Sequence, residues 1–438
     1  MKSIPFAALS VAAAMALAGA PLAMADAPNA NSTPAPVNVP SSGNLVQEWL
    51  QEQRSSASTL EKVLYTAELY GELPLVTQQS RQLILPDFLM VQGTPSQAYA
   101  DGRMRTFFAS WTSLGDAWIN DFTYQPTILS CTIQDDKATV TLIPNAVEHM
   151  CAAPSVEAHF PAVTHTLTLE MNPQGFWVIA DDEYDDEFKD AYGDHVDWTN
   201  LIQSIPYQVA RLKSEPITTP PEHPTVTNVV VAPGSRPQIS TNMPYYISYN
   251  RSAAANYALT YTNNSGDSIS TQNYNPLFYA YSGNDCADYV SQCLWAGFGG
   301  SNSSYGIQAH AYPMITASEG AVYPWYADSA PDGSAMWINA YSLINDAKSN
   351  YNNSYYGVQM YVESVSSVAL GDVVLDSSGA GHVEIVTSLG STPSWSNICI
   401  SSHTNNRYNV PLSQLYSPSQ YTNVTFYRVS AYLHPPMN

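Results

Sequence analysis

The sequence predicts an α+β protein with two folded regions on either side of a Pro-rich segment. Apolar residues in the first half recur at helical spacing and then at the strand period of two. Eight prolines lie between residues 204 and 244, and the second half combines a short helix with several strands. The length of 438 residues suits two domains of roughly 100–200 residues each. We predict an α+β accessory domain at 45–203, a linker at 204–244 and a second domain at 245–438.

The first 44 residues have the pattern of an export signal and a spacer. Lys2 is followed by an apolar run from residue 6 to about residue 20, and Ala23–Ala25 has the small-x-small pattern of a cleavage site. An uncleaved anchor helix is the alternative, but the run is shorter than the roughly 20 residues that a membrane span needs. We predict a signal peptide at 1–25, a flexible spacer at 26–44, and a secreted protein that is extracellular or associated with the cell wall, with no transmembrane segment.

Helices followed by an antiparallel meander are predicted for the accessory domain. Helical periodicity covers residues 45–70 and 103–118, whereas residues 138–142 and 165–169 alternate as strands do. Asn172–Gly175 has the composition of a turn that leads into a further strand. This order resembles the cystatin-like or NTF-like accessory domains of exported proteins, a likeness that implies no chemistry.

Charge excludes some classes of partner. The chain has 15 Lys and Arg against 37 Asp and Glu, a formal net charge of -22. A protein that neutralises phosphates would need the opposite balance, so nucleic acid is excluded as a partner. The same charge disfavours long-range attraction to anionic membranes or wall polymers.

Five cysteines, an odd number, leave at least one thiol unpaired within the chain. Cys131 and Cys151 are 20 residues apart in the accessory domain and form the most economical disulfide pair. Cys286 and Cys293 cannot bond to each other, because residues seven apart on a helix are about 10 Å apart and a disulfide needs less than about 7 Å. Cys399 remains a possible partner for either. Cys286 is the thiol that we expect to be unpaired.

A short helix is predicted at residues 283–297, with Cys286 in its first turn. Gly, Asn and Asp precede Cys286 as an N-cap, and Gly297 suits the C-terminal end. A thiol at a helix N-terminus meets the positive end of the dipole and backbone N–H groups, which favour the thiolate and can hold an oxyanion. The alternative is a structural disulfide or a small buried apolar residue, which is also the prediction for Cys293.

A base for such a thiol follows in the sequence. Strands are predicted at 370–376, 382–387 and 397–402, with His382 at the start of the second and His403 directly after the third. A neighbouring strand would let His403, or alternatively Asn405, hold the remote imidazole nitrogen of His382. This is the papain-type arrangement on another scaffold. A histidine at a strand end is otherwise a surface or capping residue.

Other catalytic chemistries lack their motifs. No H-E-x-x-H and no paired C-x-x-C occur, and G-x-S-x-G is missing. We therefore predict neither a metal nor a cofactor.

Seven short blocks follow one another in the second region, over about residues 245–438. The blocks are Tyr249–Arg251, Ala255–Ala258, Asp285–Leu294, Ser334–Trp337, Gly371–Val374, Gly381–His382 and His403–Asn405. Together they resemble the family named putative amidase domain. The family occurs in exported proteins of Gram-positive bacteria and is related to the papain-like NlpC and CHAP cell-wall hydrolases. The resemblance implies a papain-like (NlpC/CHAP-type) fold with Cys286 as nucleophile, His382 as general base and His403 as the residue that orients it. Asp285 and Asn405 are expected to support the site or the substrate.

The resemblance implies amide hydrolysis by an exported cysteine amidohydrolase or peptidase that acts on peptidoglycan or its peptides. One departure is visible, since Ala287-Asp288 stands where the family usually has Thr-Asn. The alternative is a catalytically silent exported module that binds glycan or peptide through its aromatic surface, because 11% of the residues are aromatic.

Overall fold

The computed structural model describes most of the chain from residue 42 onward. The described residues are 42–161, 163–184, 196–214, 228–229, 244–263, 273–281, 284–301, 313–327, 333–378, 381–404 and 406–436. All of them belong to one compact unit. No helix within these ranges is both long and apolar enough to cross a membrane.

Three helices open the N-terminal region: α1 (Ser42–Arg54), α2 (Thr59–Ser80) and α3 (Pro95–Leu114). The single periodic stretch predicted at 45–70 is divided because Ser58 and Glu61 form a capping box that begins a new helix. The helical stretch predicted at 103–118 is also too long at its C-terminal end. Gly115 ends α3 in a left-handed conformation, φ 85°, so Trp118 lies beyond the helix.

Seven antiparallel strands follow, and the predicted strands at 138–142 and 165–169 are confirmed within them. They are β1 (Ile119–Tyr124), β2 (Thr127–Gln134), β3 (Lys137–Ile143), β4 (Ala146–Met150), β5 (Ala153–His159), β6 (His165–Met171) and β7 (Trp177–Glu183). One sheet has the order β1-β4-β5 and the other the order β2-β3-β6-β7.

Helix α4 (Trp198–Ser214) contradicts the predicted start of the linker at residue 204. It has Pro206 in its interior, where a proline removes a backbone hydrogen bond. Ile205 and Val209 on one face of α4 are buried against the same core as Phe107 and Trp111 of α3. This packing stabilises the helix despite the proline. Of the remaining predicted linker, only residues 228–229 and 244 are among the described residues.

The C-terminal region is an eight-stranded sheet with helices. The helices are α5 (Arg251–Thr260), α6 (Cys286–Gly297), α7 (Ala335–Ile338), α8 (Ala340–Asn353) and α9 (Leu412–Leu415). The strands are β8 (Asn228–Val229), β9 (Tyr245–Ser248), β10 (Gly357–Glu363), β11 (Val373–Asp376), β12 (His382–Leu389), β13 (Ile398–Ser402), β14 (Arg407–Pro411) and β15 (Val424–His434). The order is β14-β13-β12-β11-β15-β9-β8, and β10 also pairs with β15.

The sheet has a core on each of its faces. On one face, Val383 and Ile385 of β12 pack with α6 and its neighbouring helices. On the other face, Val374 and Phe426 pack in a cluster that includes Trp111 of the N-terminal region. The two regions that the sequence separates therefore share a hydrophobic core, and the whole is a mixed α+β structure with several antiparallel sheets.

Candidate active site at the start of helix α6

Cys286 is the first residue of α6, as the sequence predicts, and it is buried. The helix is buried on almost every side rather than along one stripe, because it packs on the sheet and between other helices. Gly297 is its last residue and not its cap. A Cβ atom at Gly297 would lie 2.2 Å from the ring of Tyr249, so close packing explains this glycine.

Backbone N–H groups converge on the Cys286 sulfur. Burial is the main influence and raises the pKa of the thiol, and the nearby Asp285 carboxylate raises it further. Hydrogen bonds from the N–H groups of Val383, Ala287 and Cys286 itself act in the opposite direction. Burial outweighs these hydrogen bonds, so the pKa of the Cys286 thiol lies above its ordinary value.

The contact with Val383 brings Cys286 to the strand that begins with His382. Val386 donates its N–H to Asp372 on the β11 side, so by alternation the N–H of Val383 faces the β13 side. Strand β13 ends at Ser402, before it reaches Val383. The influence of the Val383 N–H on the Cys286 thiol therefore brings the thiol to this open edge, at the residue that follows His382.

His382 has a buried acidic neighbour that the sequence analysis missed. Its Nε2 atom lies 3.8 Å from Oε1 of Glu384, whose side chain is 2% exposed against 23% for His382. Residues two apart on a strand point to the same face, so His-x-Glu at a strand start was the available signal. Glu384 is thus a buried acidic neighbour of the imidazole, at a distance longer than a hydrogen bond.

The ring nitrogens of His403 bond to residues other than His382, which corrects the predicted role. Its Nδ1 atom lies 2.6 Å from Oδ2 of Asp285, and its Nε2 atom donates to the backbone carbonyl of Tyr261 at 2.6 Å. Both ring nitrogens are thus occupied. The ring is buried and stacks on Tyr289 with a centroid separation of 3.9 Å.

The register of the sheet explains this difference. Ile385 pairs with Ser401, so continuing the antiparallel register places Val383 opposite His403, and His382 one position further along. Adjacent residues on a strand point to opposite faces. His403 therefore lies on the other face from His382.

Asp285 supports the turn before Cys286. Its Oδ1 atom accepts the backbone N–H of Tyr281 at 2.6 Å, and its own N–H donates to Thr404 Oγ1 at 2.9 Å. Its side chain does not cap the helix, contrary to the sequence prediction. Burial raises the pKa of Asp285, and the bond to His403 opposes this shift. Asn405, the other predicted supporting residue, lies outside the described residues.

Asp288, the departure from the family pattern, is buried in a polar network. Its carboxylate accepts from Gln292 Nε2 at 2.6 Å and from Trp337 Nε1. Tyr257 donates to Gln292 Oε1 at 2.6 Å. Burial raises the pKa of Asp288 well above its usual value, and Asp285 raises it further. Asp288 is thus held as a hydrogen-bonded group inside the helix packing.

Side-chain contacts of Arg251 and Asp372 connect the sheet to α5. Asp372 is completely buried and pairs with Arg251 and with Arg428, whose Nε atom lies 3.2 Å from Oδ2. Tyr249 donates to the carbonyl of Gly371 at 2.8 Å. These contacts are structural, because a buried carboxylate needs paired donors.

The other cysteines show no disulfide. Cys131 and Cys151 are free, which contradicts the predicted pair, because Cys131 lies on β2 and Cys151 follows β4 in the other sheet. Cys293 and Cys399 are free and fully buried. Burial raises the pKa of Cys293 well above its usual value and that of Cys399 to about 12, so both are unreactive thiols.

Within the described part of the chain, no three His, Cys, Asp or Glu side chains form a group that could hold a metal ion.

Comparison with known proteins places the site in a matched region. Residues 248–428, which include Cys286 and His382, match the family described as a putative amidase domain. No curated protein matches the chain significantly.

Two solved structures resemble a smaller part of the chain. One is a putative dehydratase of the NTF2-like family from Streptomyces avermitilis, 11% identical, covering 28% of this chain and 96% of that one, with a TM-score of 0.21. The other is a putative calcium/calmodulin-dependent protein kinase type II association domain from Thiobacillus denitrificans, 13% identical, covering 27% and 91%, with a TM-score of 0.20.

Proposed function

We propose that this chain, whose residues 248–428 match an amidase domain, is a cysteine-dependent amide hydrolase with Cys286 as nucleophile and His382 as general base. The observation that supports it most is the packing of α6, whose first residue is Cys286, against β12, whose first residue is His382.

The reaction follows from these groups. His382 takes the thiol proton as the Cys286 sulfur bonds to the substrate carbonyl carbon. N–H groups of Cys286 and Val383 stabilise the negative charge on the carbonyl oxygen. His382 then gives its proton to the leaving amine, the C–N bond breaks, and a water activated by the same imidazole releases the acid and restores the thiol.

Activation by a base is necessary in this environment. Because burial raises the pKa of Cys286, little thiolate exists at neutral pH without a proton acceptor. Glu384, 3.8 Å from His382, favours the imidazolium that forms when the thiol loses its proton. Glu384 is therefore the third member of the proposed site, in the place first assigned to His403.

Peptidoglycan peptide material is the proposed substrate, and the proposed location is outside the cell or in the cell wall. The support is the resemblance to NlpC-type and CHAP-type hydrolases and the export pattern of residues 1–25. A papain-like fold for the C-terminal region is part of the same proposal.

Incubation of the purified chain with peptidoglycan sacculi, followed by mass analysis of soluble fragments, tests the proposal. We expect fragments with a new stem-peptide end or a new muramic acid end. Cys286→Ala should abolish their release and His382→Ala should reduce it by about 10²–10⁴-fold. Cys151→Ala is the matched control, since Cys151 is a partly exposed free thiol outside the site. Release that persists in Cys286→Ala would disprove the proposed chemistry.

A silent binding module is the second candidate, favoured by the burial of Cys286 and the raised pKa of its thiol. In that case the chain would sediment with sacculi and release no fragments, and Cys286→Ala would sediment equally.

A further inference from the structure

A series of contacts connects the helix of Cys286 to the residue before His382, through side chains that the proposed reaction does not use. It begins on α6. Trp337 of α7 donates its indole N–H to the carboxylate of Asp288, and Ser291 donates its hydroxyl to the backbone carbonyl of Trp337 at 3.0 Å. Trp337 is completely buried. Its side chain and its backbone are therefore both fixed to α6.

The contacts continue from α7 into α8. Asn339 ends α7 and begins α8, and its side chain accepts the backbone N–H of Ser342 at 2.9 Å. An N-cap bond of this kind fixes the first turn of a helix. Tyr341 lies in that turn, four residues after Trp337. The segment 337–341 thus sets the position of Tyr341 relative to α6.

Tyr341 contacts both ends of the connection between β11 and β12. Its hydroxyl donates to the backbone carbonyl of Ser377 at 3.3 Å. Its ring lies against Gly381, where an added Cβ atom would be 2.6 Å from Cε2 of Tyr341. Gly381 has a φ of 83°, which other residues adopt only with strain. An aromatic ring therefore packs directly on the glycine that precedes His382.

The start of β12 is a place where such packing matters. His382 is the first residue of the strand, and its side chain is 23% exposed, so its own burial restrains the imidazole less than a core position would. The residue before it is a glycine, which has the widest backbone freedom of any residue. A displacement of about 1 Å at a catalytic group can lower a rate by about 10²-fold.

We propose that Tyr341 is a positioning residue, which holds the backbone before His382 and, through Trp337, keeps the imidazole aligned with Cys286. This inference rests on the proposed function of Cys286 and His382. Tyr341 itself transfers no proton and acts only through Gly381. The buried Asp288 is the group on α6 to which the segment 337–341 is attached.

Kinetics on released peptidoglycan fragments test the positioning role. Tyr341→Ala should lower kcat by about 10–10²-fold and leave KM within about twofold, because the imidazole is misplaced and the substrate contacts remain. Tyr341→Phe keeps the ring and should keep kcat within about twofold, since one partly solvated hydrogen bond contributes little. Tyr355→Ala is the matched control, because Tyr355 is also 36% exposed and follows the other end of α8. Equal kcat values in Tyr341→Ala and Tyr355→Ala would overturn the inference.

Cross-linking with 1,3-dibromoacetone tests the alignment without hydrolysis. The Cys286 sulfur displaces the first bromide, and the His382 imidazole displaces the second when it lies within reach, which leaves a covalent bridge that peptide mass analysis identifies. We expect the bridge in the original chain, in Tyr341→Phe and in Tyr355→Ala. In Tyr341→Ala the yield should fall at least about fivefold, while single alkylation of Cys286 is retained.

The two experiments separate the inference from the proposed function. A bridge that depends on Tyr341 in a chain that releases no fragments would refute the hydrolase and support the positioning role. An original chain without the bridge, or an undiminished bridge in Tyr341→Ala, would overturn the positioning role. Tyr341→Leu, which keeps an apolar side chain without a ring, serves if Tyr341→Ala fails to fold, and the same loss is expected.

Discussion

At the scale of single residues, Glu384 changes the description of the site. The sequence places two histidines on neighbouring strands and suggests that one orients the other. The structure instead puts a buried carboxylate 3.8 Å from His382 and pairs His403 with Asp285. The cause is the two-residue period of a strand, which places His382 and Glu384 on one face.

Glu384→Gln should lower the turnover rate by tenfold or more and shift the acidic side of the pH–rate profile, because the imidazolium loses its anionic neighbour. The measurement is kcat against pH on released peptidoglycan fragments. Asp346→Asn, which removes a partly exposed carboxylate on α8, is the control and should leave the profile unchanged. An unaltered profile in Glu384→Gln would show that Glu384 is only a packing residue.

Alkylation of Cys286 should accelerate as pH rises past the usual pKa of a free cysteine. Burial raises the pKa of this thiol, and only the thiolate reacts. Iodoacetamide labelling followed by peptide mass analysis measures each cysteine separately, with the partly exposed Cys151 as internal reference. Fast alkylation of Cys286 at acidic pH would indicate a preformed thiolate and contradict this expectation.

Asp285→Ala and His403→Ala should each lower the free energy of unfolding by about 3–5 kcal/mol, because either change leaves a buried partner unpaired. The double variant should cost less than the two single changes together, since its unpaired groups are removed jointly. Denaturant unfolding of the four proteins measures this coupling. Additive losses would show that the 2.6 Å contact contributes nothing to stability.

At the scale of elements, α6 depends on close packing more than on helix propensity. Gly297→Ala should destabilise the protein, although alanine is favoured over glycine in helices by about 1 kcal/mol. The new Cβ would lie 2.2 Å from the Tyr249 ring, which the hydrogen bond to Gly371 holds in place. Thermal unfolding measures the sign, with Ala296→Gly as the control for propensity. A higher Tm for Gly297→Ala would contradict the packing argument.

Elements with a strong period were predictable, and their ends were not. The alternating residues at 138–142 and 165–169 lie in β3 and β6, because alternation reflects one buried face. Helix α4 passes through Pro206 because Ile205 and Val209 pack into a distant core. The residues of that core are far apart in the sequence. The local sequence therefore could not show that the helix continues past residue 204, and the predicted start of the linker there was wrong.

At the scale of the whole molecule, the N-terminal and C-terminal regions are joined by polar contacts as well as by a shared core. Ser394 donates to Asp116 at 3.0 Å, and Asn409 donates to the backbone carbonyl of Glu157. Gln414 of α9 donates to Glu148 of β4, and Glu148 is fully buried. Burial raises the pKa of Glu148 to about 7.

This carboxyl group should make stability depend on pH. Between the usual glutamate value of 4.5 and about 7, the folded chain keeps the proton that the unfolded chain releases, so the free energy of unfolding falls as pH rises. Glu148→Gln should remove that fall, which is about 3 kcal/mol in full. Urea unfolding from about pH 4 to pH 8 measures it.

Glu157→Gln, a change at an exposed acid on the adjacent strand β5, is the control and should preserve the pH dependence of the original chain. A Glu148→Gln variant that retains the full dependence would assign it to other groups.

The sequence by itself determined the α+β class, the strands and helices with strong periods, and the helix that begins at Cys286. Each of these follows from the spacing of residues that lie close together in the sequence. Only the tertiary structure decided that Glu384 accompanies His382, that His403 binds Asp285, that no disulfide joins Cys131 to Cys151, and that the two regions share a core. These depend on strand register and on contacts between residues far apart in sequence, where a shift of one residue moves a side chain to the opposite face.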